Sequence, residues 1–230
     1  ARELAAELSA TGNLERGLIR QDVVTARAIV SIADRRWSAF VQPYWLYADV
    51  NGKTTAHELY TRAVGFRALG DRWFAFALGV YDHSFRREIR HHGLAGGGAG
   101  ATLARWSAGS IVVSLGAVGE LADYDRPALA DGTLLAGARR TTLRASARIY
   151  GRYRVCERLS LVHDVFVMPS LVARDDLRVV AYGGLDLAIA GGLSARIAAD
   201  ASHEDVIVAG TRHDDLAVTF GVSWRSETRW

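Results

Sequence analysis

Cysteine is almost absent from this chain: Cys156 stands alone in 230 residues, which excludes a disulfide framework and any cysteine-rich zinc site. Only three residues are proline and half are hydrophobic, so a disordered chain is excluded too. No apolar run approaches the ~20 residues of a membrane-crossing helix. The net charge is only +3 and no basic run interleaves with aromatic residues, so nucleic acid is not a partner. Lysine is reduced to Lys53, which bears on the one stretch that looks like nucleotide chemistry, "EIRHHGLAGGGAGATL" at 88–103. A phosphate loop needs Lys and Ser/Thr after its last glycine, and Gly100 is followed by Ala101 and Thr102. The looser dinucleotide pattern from Gly96 to Ala101 needs a helix next. The residues beyond it instead place Ile111, Val113, Leu115, Ala117 and Leu121 at period two, which is strand. A start at Ala1 suits a chain whose signal peptide has been removed, or merely a trimmed one.

What the chain does have is period-two alternation, repeated along its whole length. Leu143, Ala145, Ala147, Ile149, Gly151 and Tyr153 alternate with Thr142, Arg144, Ser146, Arg148, Tyr150 and Arg152. Leu216, Val218, Phe220, Val222 and Trp224 alternate with Asp215, Thr219, Ser223 and Arg225. About twelve such segments succeed one another, each long enough for the ~10 residues that cross a bilayer as tilted strand. Their connections alternate short (33–36, 69–72, 104–107, 155–158, 191–192) with long (11–17, 49–57, 82–92, 121–140, 169–176, 203–214). Short periplasmic turns opposite long outer loops are the rule of outer-membrane barrels. Trp37, Trp73 and Trp106 sit beside short turns and Trp230 ends the chain, as a girdle at the periplasmic interface requires. The expectation is one all-β domain over 1–230: a transmembrane antiparallel β-barrel of about twelve strands in an up-and-down meander, with both termini periplasmic.

Several stretches carry a family likeness: "SATGNLERG" (9–17), "GDRWFAFALGVYDHSFR" (70–86), "HHGLAGGGAGATL" (91–103), "LGAVGELADYD" (115–125) and "DDLAVTFGVSW" (214–224). In these the chain resembles the DUF481 family of salt-induced outer-membrane proteins. The resemblance implies an integral outer-membrane barrel of a Gram-negative bacterium and brings no established reaction or ligand.

Catalytic and metal chemistry find little support. His163 lies mid-strand beside Asp164, but no G-x-S-x-G elbow exists and no serine is tied to it by spacing. His57, His83, His91, His92, His203 and His213 lie in or beside the long connections without fixed ligand spacing. The reading is therefore not an enzyme, with no metal and no cofactor, an outer-membrane enzyme being the minor alternative. The glycines of 93–103 either relieve crowding inside the barrel or let strands approach closely.

Facing inward, opposite the apolar set, are Glu7, Arg27, Gln42, Glu120, Arg144, Arg148, Arg152, Asp186, Arg196, Asp200 and Arg225. Arg144, Arg148 and Arg152 form a basic ladder on one strand, which opposing carboxylates need not neutralise in full. These charges admit two functions: a narrow channel for small solutes, anionic ones among them, or a structural and interaction barrel plugged by salt bridges. The ladder inclines to the channel. The partners expected are outer-membrane lipid and lipopolysaccharide, and the barrel-assembly machinery acting on the C-terminal strand.

Overall fold

The computed structural model describes residues 3–15, 21–84, 89–124, 127–128, 133–134, 139–208 and 212–229. Twelve long strands form the wall of a closed barrel: β1 (Glu3–Glu15), β2 (Gln21–Ala33), β3 (Trp37–Val50), β4 (Lys53–Ala68), β5 (Trp73–Ser84), β6 (Ile89–Trp106), β7 (Gly109–Tyr124), β9 (Arg139–Arg154), β10 (Leu159–Pro169), β11 (Leu177–Ala190), β12 (Leu193–Glu204) and β14 (Asp214–Arg229). Two short strands, β8 (Pro127–Ala128) and β13 (Ile207–Val208), pair with each other and not with the wall. Each wall strand pairs antiparallel with the next, and β14 returns to β1, as the alternation predicts. The closing contact is short. β1 pairs with β2 from Glu3 to Glu15 but with β14 only from Glu3 to Ala10.

Period two decides which side chain faces where. Along β14, Leu216, Val218, Phe220, Val222 and Trp224 are exposed on the outside while Ser223 is buried inside. Along β9, Leu143 and Ile149 point out, and Thr142, Arg144 and Ser146 are buried inward. The turns 34–36, 69–72, 107–108, 155–158 and 191–192 share one rim with the start of β1 and the end of β14. Asp34 Oδ1 ties the first of these turns by accepting the N–H groups of Arg36 and Trp37, both at 2.8 Å.

At the other rim the length expected for one connection is wrong. Residues 49–57 are not a long loop: β3 and β4 meet in a two-residue turn at Asn51-Gly52, both with positive φ (54° and 79°). Asn-Gly is the pair that a type I′ hairpin demands, and its signal outweighs the polar composition around it. Asp49 Oδ1 accepts the Gly52 N–H at 2.8 Å. β1, β5 and β6 also run further than expected, so the connections after β1 and β5 shrink to 16–20 and 85–88, outside the described residues.

Two sequence features shape the wall. Pro43 lies mid-strand in β3, and between the pairs Arg27–Tyr44 and Val30–Val41 the ladder with β2 lapses, because proline has no N–H to give. The glycines of β6 combine both roles expected of them. A Cβ at Gly98 would run into the Leu115 carbonyl and Gly116 of β7, and one at Gly100 would meet the Phe74 ring, which occupies the inner face there. Inside the barrel, Leu94, Val118 and Met168 form a small buried apolar cluster.

Candidate functional site in the barrel lumen

Inward-facing charges stack in three levels, counted from the rim opposite the short turns. In the upper level Glu120 (β7) accepts from Arg144 Nε (β9) and from Arg178 Nη1 (β11) at 2.5 Å, and His92 Nε2 (β6) lies 2.7 Å from both Glu120 Oε1 and Arg178 Nη1. Arg144 also donates to Asp176 Oδ1 at 2.7 Å and to the Met168 and Asp176 carbonyls at 3.2 and 3.1 Å. Arg178 Nη2 reaches Glu204 at 3.0 Å. The six side chains are between 2 % and 7 % exposed, so the level is buried. Asp176 belongs to the 170–176 connection, which folds a carboxylate back into the barrel mouth.

The middle level centres on Asp164 of β10. Arg148 grips it with Nε and Nη2 at 2.6 and 2.9 Å, and Arg62 Nη1 adds a third bond at 2.9 Å. Arg62 Nη2 donates to Gln42 at 2.9 Å, and Arg27 Nη2 spans both oxygens of Asp200 at 3.0 and 3.1 Å. Aromatic faces back the guanidiniums: Tyr44 and Tyr182 at Arg27, Phe40 and Phe166 at Arg62, Tyr150 and Phe166 at Arg148. Planar guanidinium is the cation suited to such stacking. In the lower level Arg196 binds Asp186 through two bonds at 2.6 and 2.8 Å, and Ser223 joins them at 3.3 Å.

Eight of the expected inward residues thus stand in these levels: Arg27, Gln42, Glu120, Arg144, Arg148, Asp186, Arg196 and Asp200. Arg152 lies one step further down the inner face of β9. Glu7 and Arg225 are opposite each other in the β1–β14 register, with side chains outside the described residues, as is Trp230. Trp37, Trp73 and Trp106 are exposed at the short-turn rim. Of the ladder's three arginines, Arg144 and Arg148 are paired with carboxylates. Sequence reasoning missed Arg62, Asp164, Asp176, Arg178 and Glu204.

The histidines divide between the two faces. His163 lies outside the wall, its ring over Gly151 and 6.0 Å from that of Tyr153, while Asp164 beside it points inward; neighbours on opposite faces cannot share a proton. His92 is buried inside rather than set at a loop mouth. Among the described residues no three His, Cys, Asp or Glu side chains are placed to hold a metal ion.

The closed, tall wall has known counterparts. The translocator domain of the autotransporter NalP from Neisseria meningitidis aligns at 16 % identity and TM-score 0.50, covering 98 % of this chain and 88 % of that one. The NanC porin aligns at 10 % identity and TM-score 0.52, covering 96 % and 98 %. At such identities the likeness is one of fold, that of the outer-membrane β-barrels. No curated protein matches the chain. A family model described as a protein of unknown function, DUF481, matches residues 8–224.

Proposed function

The chain belongs to the DUF481 family, and we propose that this member is an outer-membrane barrel whose lumen is held shut by ion pairs, a structural or interaction protein of the envelope and not an open pore. One observation carries the reading: the arginines of the ladder that would give an anion channel its field, Arg144 and Arg148, are spent on Glu120, Asp176 and Asp164. Buried charges matched in this way fix one another across the bore. The apolar outer face and the tryptophans at one rim support placement in the outer membrane of a Gram-negative bacterium. In this reading the termini and short turns are periplasmic. Lipid and lipopolysaccharide surround the wall, and the assembly machinery acts on β14. No catalytic role is assigned.

Planar-bilayer recording with the unmodified chain and with Arg144, Arg148 and Arg152 changed together to glutamine tests this. The closed reading expects no steady conductance from the unmodified barrel and lowered thermal resistance in the triple variant, read from heat-modifiable gel mobility. A steady conductance whose ion selectivity shifts in a stable triple variant would replace it with the channel reading.

A further inference from the structure

The inside of this barrel is polar on most sides, but one wall is not. Leu78, Val80, Phe166 and Val180 turn inward and pack against the buried Leu94, Val118 and Met168. Most of this cluster borders a cavity of about 260 Å3, which also touches Phe76 and, on its other sides, many charged and polar groups, Glu58, Asp82, His92 and Asp164 among them. A dry apolar cavity of about 150 Å3 is enough to take up benzene, so this one has room for a substituted ring.

The charges around the cavity answer one another: Arg62 and Arg148 meet Asp164, Arg27 meets Asp200, and Arg178 meets Glu120 and Glu204. An ionic guest would lose its hydration against the apolar wall without gaining an unmatched counter-charge. His92 Nδ1 is different, because it is buried and has no hydrogen-bond partner. Its Nε2 is taken up by Glu120 Oε1 and Arg178 Nη1, both at 2.7 Å, so Nδ1 is the ring's open polar position. Asp82 Oδ2 lies 3.8 Å away and also lines the cavity. A guest hydroxyl, both donor and acceptor, can bond at Nδ1 whichever ring nitrogen carries the proton.

The geometry points to a lumenal binding site for a small uncharged aromatic molecule with one hydroxyl group, of the phenol kind. Its ring lies against Phe76, Phe166 and Met168, and its hydroxyl is directed to His92 Nδ1. The site builds on the closed-lumen reading, since an open bore would leave this wall to water and weaken its hold on an apolar guest.

Met168 makes the test direct. It is the chain's single methionine and lines the cavity, so methyl-labelled methionine gives one NMR signal from inside the barrel. The full chain refolded in detergent micelles is titrated with phenol, with toluene and with benzoate. Phenol is expected to shift the signal saturably. Toluene lacks the hydroxyl and should need roughly 3–10-fold more for half-saturation, the worth of one hydrogen bond. Benzoate should leave the signal in place. Val80→Phe fills the cavity and should abolish the phenol response while heat-modifiable mobility is retained. A signal unmoved by phenol, or drifting linearly as detergent partitioning does, overturns the site, and equal half-saturation for toluene overturns the role of the hydroxyl. If Val80→Phe does not assemble, the titrations of the unmodified chain decide alone. Conductance of the same preparation judges closure separately: a conducting barrel with a saturable phenol response refutes closure and keeps the site, and a silent barrel without one does the reverse.

Discussion

Asp164 accepts three hydrogen bonds from two guanidiniums while only 4 % exposed, so it is the counter-charge on which the middle level depends. Asp164→Asn keeps its shape and leaves Arg62 and Arg148 facing each other without an anion. Breaking one side of a buried pair costs about 3–5 kcal/mol. We expect the variant to lose its folded gel band at clearly lower temperature or urea concentration than the parent. Unchanged resistance would mean that water serves these arginines. Asp164 was hidden in the sequence because its inward neighbours on β10, Val162, Phe166 and Met168, are as apolar as the outward Leu161, Val165 and Val167, so the alternation has no readable phase. Asp176 was hidden for another reason: it arrives from a connection, where no period applies. Glu120, Arg144 and Arg148 were legible because β7 and β9 alternate cleanly.

β6 and β7 approach closely at their glycines. Gly98 has no room for a side chain, whereas Gly65 on β4 has nothing within 4 Å of the place its Cβ would take. Gly98→Ala should therefore cost about 1–3 kcal/mol, as forced overpacking does. Gly65→Ala should stay within about 0.5 kcal/mol of the parent. Comparing the two in refolding yield and urea midpoint checks this, and equal behaviour would show that β6 can move away from β7. At this scale the sequence was informative about strands and poor about where they end. Apolar alternation marks the portion that faces lipid, but β3, β4, β5 and β6 continue past it with polar residues that look like loop. Only Asn51-Gly52 offered a local signal for the true turn.

For the whole molecule, the fold could be read from repetition, whereas the state of the bore could not, because it depends on which charges meet across distances the sequence does not encode. Orientation can be tested without engineering, since Cys156 is the lone cysteine and is exposed in the 155–158 turn. A membrane-impermeant maleimide should leave it unmodified in intact cells and label it once the outer membrane is breached. Labelling in intact cells would invert the proposed orientation. The short closing contact has a kinetic meaning. Beyond Ala10 and Val222 the first and last strands no longer exchange hydrogen bonds, so every other amide of β14 between Ala217 and Gly221 has no ladder acceptor in β1. Unpaired backbone does not persist in hydrocarbon, so this fork either stands above the lipid or opens to water. In deuterium exchange those alternate amides should be replaced early, while their neighbours bonded to β12 remain slow. Uniform protection along β14 would mean the ring is fastened up to its edge. Early exchange would make the fork the place from which the barrel unzips.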